Sequence, residues 1–120
     1  MLRAACWVAM IAGCASPPGR LVAPKVVSGF ELAPYATLEE CVALEPGERV
    51  AYRFDAREPL AFNVHFHDGN AVIMPVSRAG TTSESGDFTA DRKEVYCLMW
   101  EAGADGSILD YRVSPWPRQR

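Results

Sequence analysis

The sequence predicts an all-β domain, an antiparallel β-sandwich of seven to eight short strands with one disulfide. Short runs of alternating large apolar and polar residues are separated by turn-forming Pro, Gly, Asp and Asn. Alternation at period two is typical of strands with one buried face. Helical periodicity is nowhere convincing. Short strands at this spacing, with a turn after each, therefore favour a sandwich.

Each strand is predicted from its own alternation, and each boundary from the turn chemistry beside it. The turns are expected at residues 45–48, 57–59, 68–70 and 103–106, and a polar loop is expected at 77–86. The expected strands are residues 37–44, 49–54, 60–67, 71–76, 87–90, 94–101 and 108–114.

The segment 60–67 has the cleanest alternation in the chain. Its large apolar residues are Leu60, Phe62, Val64 and Phe66. Four such residues at period two are expected to face the core. His65 and His67, in the opposite phase, are expected on the wetter face of the sheet.

The first 13 residues are predicted to be a signal peptide. One positive charge at Arg3 precedes an uncharged run of nine residues, 4–12, which is too short to span a membrane as a helix. The tetrapeptide Ile11-Ala12-Gly13-Cys14 resembles the lipobox of bacterial lipoproteins. This resemblance implies cleavage before Cys14 and lipidation of its thiol. An ordinary secretory signal with a coincidental cysteine, or a buried apolar segment of the domain, are the open alternatives.

The lipobox resemblance also implies a location. The residue after Cys14 is Ala15 rather than Asp, which in Gram-negative lipoproteins favours the outer membrane, here with the domain facing the periplasm. Breakers such as Pro17 and Pro18 indicate a lipidated tether at 14–25, followed by the sandwich at 26–114 and a C-terminal tail at 115–120.

Charge argues against nucleic acid as a partner. Loss of residues 1–13 removes one Arg, which leaves 11 basic and 15 acidic residues and a net charge near −4. The only basic cluster is Arg118-Gln119-Arg120, whereas nucleic-acid-binding domains carry a basic face.

The two cysteines of the domain are each out of phase with their apolar neighbours. Cys41 alternates with Val42, and Cys97 alternates with Leu98. If the apolar residues face the core, both sulfurs lie on the same outer side, which suits a bridge between neighbouring strands. Closing a loop of about 57 residues would contribute about 4 kcal/mol. Two separate thiols, or one cysteine acting as a soft metal ligand, are the alternatives.

Several motifs together resemble the GOLD-type β-sandwich, an architecture close to a jelly roll. They are Cys41, the Pro46-Gly47 turn, Gly86-Asp87-Phe88 and Tyr96-Cys97-Leu98-Met99-Trp100. The resemblance implies this fold and the pairing of Cys41 with Cys97. The family's cargo-adaptor members also carry a coiled coil and a membrane span. The sequence predicts neither of these here, so that activity is not carried over.

His65-x-His67 contains both histidines of the chain and is its one metal-like motif. Residues i and i+2 of a strand project to one face, where two imidazoles can bind Zn²⁺ or Cu²⁺. Two ligands do not complete a site. Two solvent-facing polar residues are the alternative interpretation. Further ligands would come from Asp68, Met74, Glu94 or Met99.

No catalytic constellation is recognisable, since the sequence contains no Gly-x-Ser-x-Gly elbow, phosphate-binding loop or His-Glu-x-x-His motif. Trp116 is expected either to pack on the sandwich or to mark a contact. We therefore expect a non-enzymatic binding or structural module for another envelope protein or glycan, with no cofactor. The alternative is a periplasmic copper- or zinc-binding protein using His65 and His67.

Overall fold

The computed structural model describes residues 19–116, so Cys14 and the predicted signal peptide lie outside the described residues. Within this range the chain is all-β and antiparallel, as predicted, and contains no helix. Consequently, none of residues 19–116 forms a helix that could cross a membrane. The strands are β1 (Lys25–Leu32), β2 (Thr37–Leu44), β3 (Arg49–Asp68), β4 (Ala71–Thr89), β5 (Glu94–Ala102) and β6 (Ser107–Pro115).

The long hairpin formed by β3 and β4 belongs to both layers of the sandwich. The sheet order is β1-β6-β3-β5-β2, with β4 on the other edge of β3. β6 pairs with the first half of β3, from Val50 to Ala56, and β5 pairs with the second half, from Leu60 to His65. Trp100 of β5 stacks on Tyr111 of β6 with ring centroids 4.6 Å apart. Because β5 and β6 are not paired, this contact places the two layers face to face.

The described residues form six strands rather than the predicted seven to eight. Two predicted breaks lie inside strands, which reduces the seven expected strands to five, and β1 is an additional strand. β3 continues through residues 57–59, where the pairing register shifts and the strand passes from one layer to the other. The predicted turn is therefore a bend without chain reversal. β4 continues through the predicted polar loop at 77–86. That segment is mostly exposed and is held by backbone pairing to β3, so no apolar alternation marks it. β1 was not predicted as a strand.

The predicted core is confirmed. Leu60, Phe62, Val64 and Phe66 are all at most 5% exposed. They pack in one cluster with the inward residues of the other strands, including Phe54, Trp100 and Tyr111. The hairpin turn after β3 is also confirmed, since Asp68 pairs with Ala71 and Gly69 adopts a φ of 59°, as two-residue hairpin turns that begin with glycine require.

Position 86 requires glycine because the ring of Tyr52 lies over it. Gly86 is paired with Tyr52 across β3 and β4. A Cβ at this position would lie 2.8 Å from the Tyr52 hydroxyl oxygen and 3.0 Å from the ring carbon that bears it. The glycine of the Gly86-Asp87-Phe88 motif therefore makes room for a tyrosine of the neighbouring strand.

The end of the segment expected to be a tether lies against the sandwich. The Gly19 carbonyl accepts a hydrogen bond from the Ala43 N–H at 3.1 Å. Arg20 forms an ion pair with Glu48, and Leu21 packs against the core. Residues 19–21 are thus held at the edge of β2 before β1 begins at Lys25.

Candidate functional site

The Cys41–Cys97 disulfide is present, with an S–S distance of 2.04 Å. The two cysteines are direct partners across β2 and β5. Both are out of phase with the core residues of their strands, as the sequence predicted, so the bridge lies on the outer face of the layer formed by β2, β5 and the second half of β3.

Strand register brings the histidine motif to the same face. His65 of β3 is the direct partner of Cys97 of β5. Two residues further along β5 and on the same face, Met99 is paired with both Glu39 of β2 and Asn63 of β3. We call this surface the histidine face and define it as Glu39, Asn63, His65, His67 and the Cys41–Cys97 disulfide.

The expectation that both histidines are solvent-exposed is wrong for His65. His67 is exposed, but His65 is only 4% exposed and Asn63 only 8%. Both histidines lie out of phase with the core residues, as expected. His65 is nevertheless buried because β3 is an interior strand at this point, with β5 on one side and β4 on the other. Two residues of β4, Met74 and Pro75, bulge opposite His65.

Both ring nitrogens of His65 have a neighbour. Nδ1 lies 2.7 Å from Asn63 Oδ1, and Nε2 lies 3.3 Å from Glu39 Oε1. The His67 ring is nearly perpendicular to the His65 ring, with centroids 5.4 Å apart. The Glu39 side chain is 44% exposed, so the open side of this group faces solvent.

The acidic residues suggested by the sequence as further metal ligands are held elsewhere. Asp68 and Glu94 both contact the Arg92 guanidinium, at 3.5 and 2.6 Å. Glu39 takes their place beside His65. The sequence indicates only that Glu39 lies on the same face of β2 as Cys41. The pairing of both β2 and β3 with β5 is what brings Glu39 next to His65.

A second surface is the exposed start of β4, which we call the β4 apolar strip and define as Val72, Ile73 and Met74. These side chains are 47%, 41% and 48% exposed. Consecutive strand residues point to opposite faces, so both faces of this segment are accessible. Among the described strands, β4 pairs only with β3, which leaves its outer edge open. Pro75, directly after the strip, limits further strand pairing there because it lacks an N–H.

A cleft of about 660 Å³ lies where β2 turns into β3. Its lining includes Arg20, Arg49 and Trp116. The backbone N–H of Trp116 donates to the Arg49 carbonyl oxygen at 3.2 Å, and the Arg49 guanidinium lies 5.2 Å from the indole ring centroid. Trp116 therefore packs on the start of β3 while 39% of it stays exposed.

Two buried phenols are held in their neutral form. The pKa of Tyr52 is raised from 10.0 to about 12, mainly by burial and secondly by the hydrogen bond that its hydroxyl donates to Glu84. Burial and a hydrogen bond to Glu40 at 2.7 Å raise the pKa of Tyr111 as well. At neutral pH these tyrosines therefore act as hydrogen-bond donors and not as bases.

No protein-family model matches the chain, and no curated protein matches it. Among solved structures, the chain is similar to Aeromonas hydrophila PliG, a periplasmic lysozyme inhibitor of g-type lysozyme. The TM-score is 0.54 at 13% sequence identity, and the match covers 82% of this chain and 96% of the PliG chain. At this identity, the likeness is one of fold.

Proposed function

We propose that the protein is a lipid-anchored, non-enzymatic binding module of the Gram-negative envelope, whose partner is another protein on the periplasmic side. The observation that carries the proposal is the fold likeness to PliG, which covers 82% of this chain and 96% of the PliG chain. Because fold alone does not carry activity, the binding surface has to be argued from this chain. A g-type lysozyme is the first partner to test, since that is the class PliG inhibits.

The β4 apolar strip is the best-supported contact surface for this role. Natural proteins protect sheet edges with charges, prolines and bulges. Here Pro75 limits further strand pairing, but Val72, Ile73 and Met74 still form an uncharged, exposed run on this edge. Exposed apolar surface of this kind is typical of protein-binding sites. The net charge near −4 of the chain without residues 1–13 favours association with a basic partner.

An inhibition assay tests the partner and the surface together. We expect the full chain to slow the clearing of peptidoglycan suspensions by a g-type lysozyme. Met74→Lys should weaken inhibition at least tenfold, because it places a positive charge in an apolar contact with a basic partner. Val26→Lys is the matched control, since Val26 is a 60% exposed apolar residue on β1, and it should inhibit like the wild type.

Two further outcomes distinguish a wrong choice of partner from a protein that does not act as a binding module. Absence of both inhibition and calorimetrically detectable binding would exclude g-type lysozyme as the partner. The binding role itself fails if in-cell crosslinking of the wild-type protein yields no specific adduct that Met74→Lys removes.

The anchor part of the proposal rests on the lipobox motif that ends at Cys14. We expect the wild-type protein to partition into the detergent phase and to carry acyl chains in its mature mass. Cys14→Ser should remain uncleaved by the lipoprotein signal peptidase and should leave the detergent phase. An aqueous wild-type protein whose mature mass lacks acyl chains would contradict the lipoprotein interpretation.

A further inference from the structure

We propose that Glu39, His65 and His67 form a binding site for a divalent transition metal that prefers nitrogen and oxygen ligands, Zn²⁺ or Cu²⁺. This site is independent of the proposed protein partner. It lies on the histidine face and combines a carboxylate from β2 with two imidazoles from β3, a donor set typical of such ions.

The first argument is the hydrogen-bond state of the buried imidazole. An amide oxygen accepts hydrogen bonds, so the 2.7 Å contact with Asn63 Oδ1 suits the tautomer of His65 that carries its ring hydrogen on Nδ1. In that tautomer, Nε2 carries a lone pair and faces the Glu39 carboxylate. The same tautomer thus places two acceptors opposite each other at a side chain that is 5% exposed. A cation between them turns this unfavourable contact into an attractive one.

The second argument is the distance between those two acceptors. Nε2 and Oε1 are 3.3 Å apart, longer than the usual N–H···O hydrogen bond of about 2.9 Å. In tetrahedral zinc sites, Zn–N and Zn–O bonds of about 2.1 Å at the tetrahedral angle place the two ligand atoms about 3.4 Å apart. The observed separation thus matches two ligands of one metal ion.

The third argument is the placement of His67. The two ring centroids are 5.4 Å apart, and two imidazoles on one tetrahedral zinc have centroids about 5 Å apart by the same bond lengths. Because His67 is exposed, its ring can rotate to direct a nitrogen at the ion. Three protein ligands and a water then complete four-coordination.

The surroundings fit this role. Asn63 Oδ1 lies 2.7 Å from His65 Nδ1 and can accept a hydrogen from it, a contact that orients the ring and favours the tautomer in which Nε2 coordinates, as outer partners of ligating histidines do. The neighbouring sulfurs are joined in the Cys41–Cys97 disulfide. They therefore offer no thiolate, and a blue-copper set of His, Cys and Met is excluded.

Isothermal calorimetry on the full chain with ZnCl₂ and with CuCl₂ tests the site. We expect one site with a dissociation constant in the micromolar range or tighter for both ions. Glu39→Gln and His67→Gln should each weaken binding at least tenfold. Glu101→Gln is the matched control, because Glu101 is an exposed carboxylate on the same face of β5 and should leave the affinity unchanged.

Thermal unfolding with and without metal tests the part of the buried ligand, His65. His65→Gln is expected to abolish binding, and its melting curve without metal shows whether it is folded. Added Zn²⁺ should raise the melting temperature of the wild type but not that of Glu39→Gln, whose exposed side chain makes misfolding no concern. Millimolar wild-type affinity would overturn the proposal. Equal affinities for Glu39→Gln and Glu101→Gln would remove Glu39 from the site.

Discussion

Phe62 is the residue whose loss tests the sandwich most directly. It lies on β3 just after the bend and is 0% exposed. Its ring contacts Tyr52, Phe54 and Trp100, with centroid distances of 5.0, 4.8 and 5.4 Å. Phe62 therefore joins both halves of β3 to Trp100 of β5.

The cost of Phe62→Ala follows from these contacts. Truncating a buried Phe to Ala costs about 3–5 kcal/mol. Each aromatic pair adds about 0.5–1.5 kcal/mol beyond its buried area, so three pairs place Phe62 in the upper half of that range. A loss of about 4 kcal/mol is a large part of the roughly 5–15 kcal/mol that stabilises a domain. It should lower the melting temperature by roughly 16–32 °C.

Urea unfolding followed by circular dichroism measures this loss. Phe30→Ala is the control, since Phe30 is the same residue type on β1 but 39% exposed, and it should cost under about 1 kcal/mol, as partly exposed sites do. His67→Gln, at an exposed position of β3, should also be nearly silent without metal. A cost below about 1 kcal/mol for Phe62→Ala, or a larger cost for Phe30→Ala, would refute the assigned orientation of the strand.

Three further outcomes are expected. Cys97→Ala should lower stability by up to about 4 kcal/mol in chemical unfolding, and mass mapping should find no free Cys41 thiol in the wild type. Gly86→Ala should destabilise the domain through its contact with the Tyr52 ring, and a cost in Gly86→Ala equal to that in Gly103→Ala, whose added Cβ would meet its nearest neighbour only at 3.9 Å, would contradict this. Because the pKa of Tyr52 is raised from 10.0 to about 12 on folding, the folded state binds more protons between these values, so stability should fall as pH rises from 10 to 12. Removing the Tyr52 hydroxyl (Tyr52→Phe) should reduce that slope in alkaline unfolding, and an unchanged slope would exclude the assignment.

The core of this protein could be predicted from local pattern alone. On the second half of β3, period-two alternation placed Leu60, Phe62, Val64 and Phe66 inside, and burial confirms all four. The same parity argument placed both sulfurs of Cys41 and Cys97 on one outer face. Both predictions succeeded because the alternation of side chains across a strand does not depend on which strand lies beside it.

The two ends of the edge strand β4 were predicted, at 71–76 and 87–90, but its continuity through 77–86 could not be predicted in this way. Strand β4 is mostly exposed and carries a polar stretch between its ends, so its sequence lacks the contrast between faces that marks a half-buried strand. Its pairing with β3 is made by backbone groups that every residue type except proline supplies. The bend of β3 at 57–59 was mistaken for a turn for a related reason, because local turn chemistry does not distinguish a change of direction from a reversal.

Local alternation and turn chemistry were enough to predict the fold class, the inward face of the central strands and the histidine motif. The burial of His65 and the position of Glu39, 3.3 Å from its Nε2, are seen only in the folded chain. They depend on the register between strands. Glu39 and His65 lie on different strands, each paired with β5, and the alignment of three strands depends on packing and hydrogen bonding across the whole layer, which no local run of residues contains.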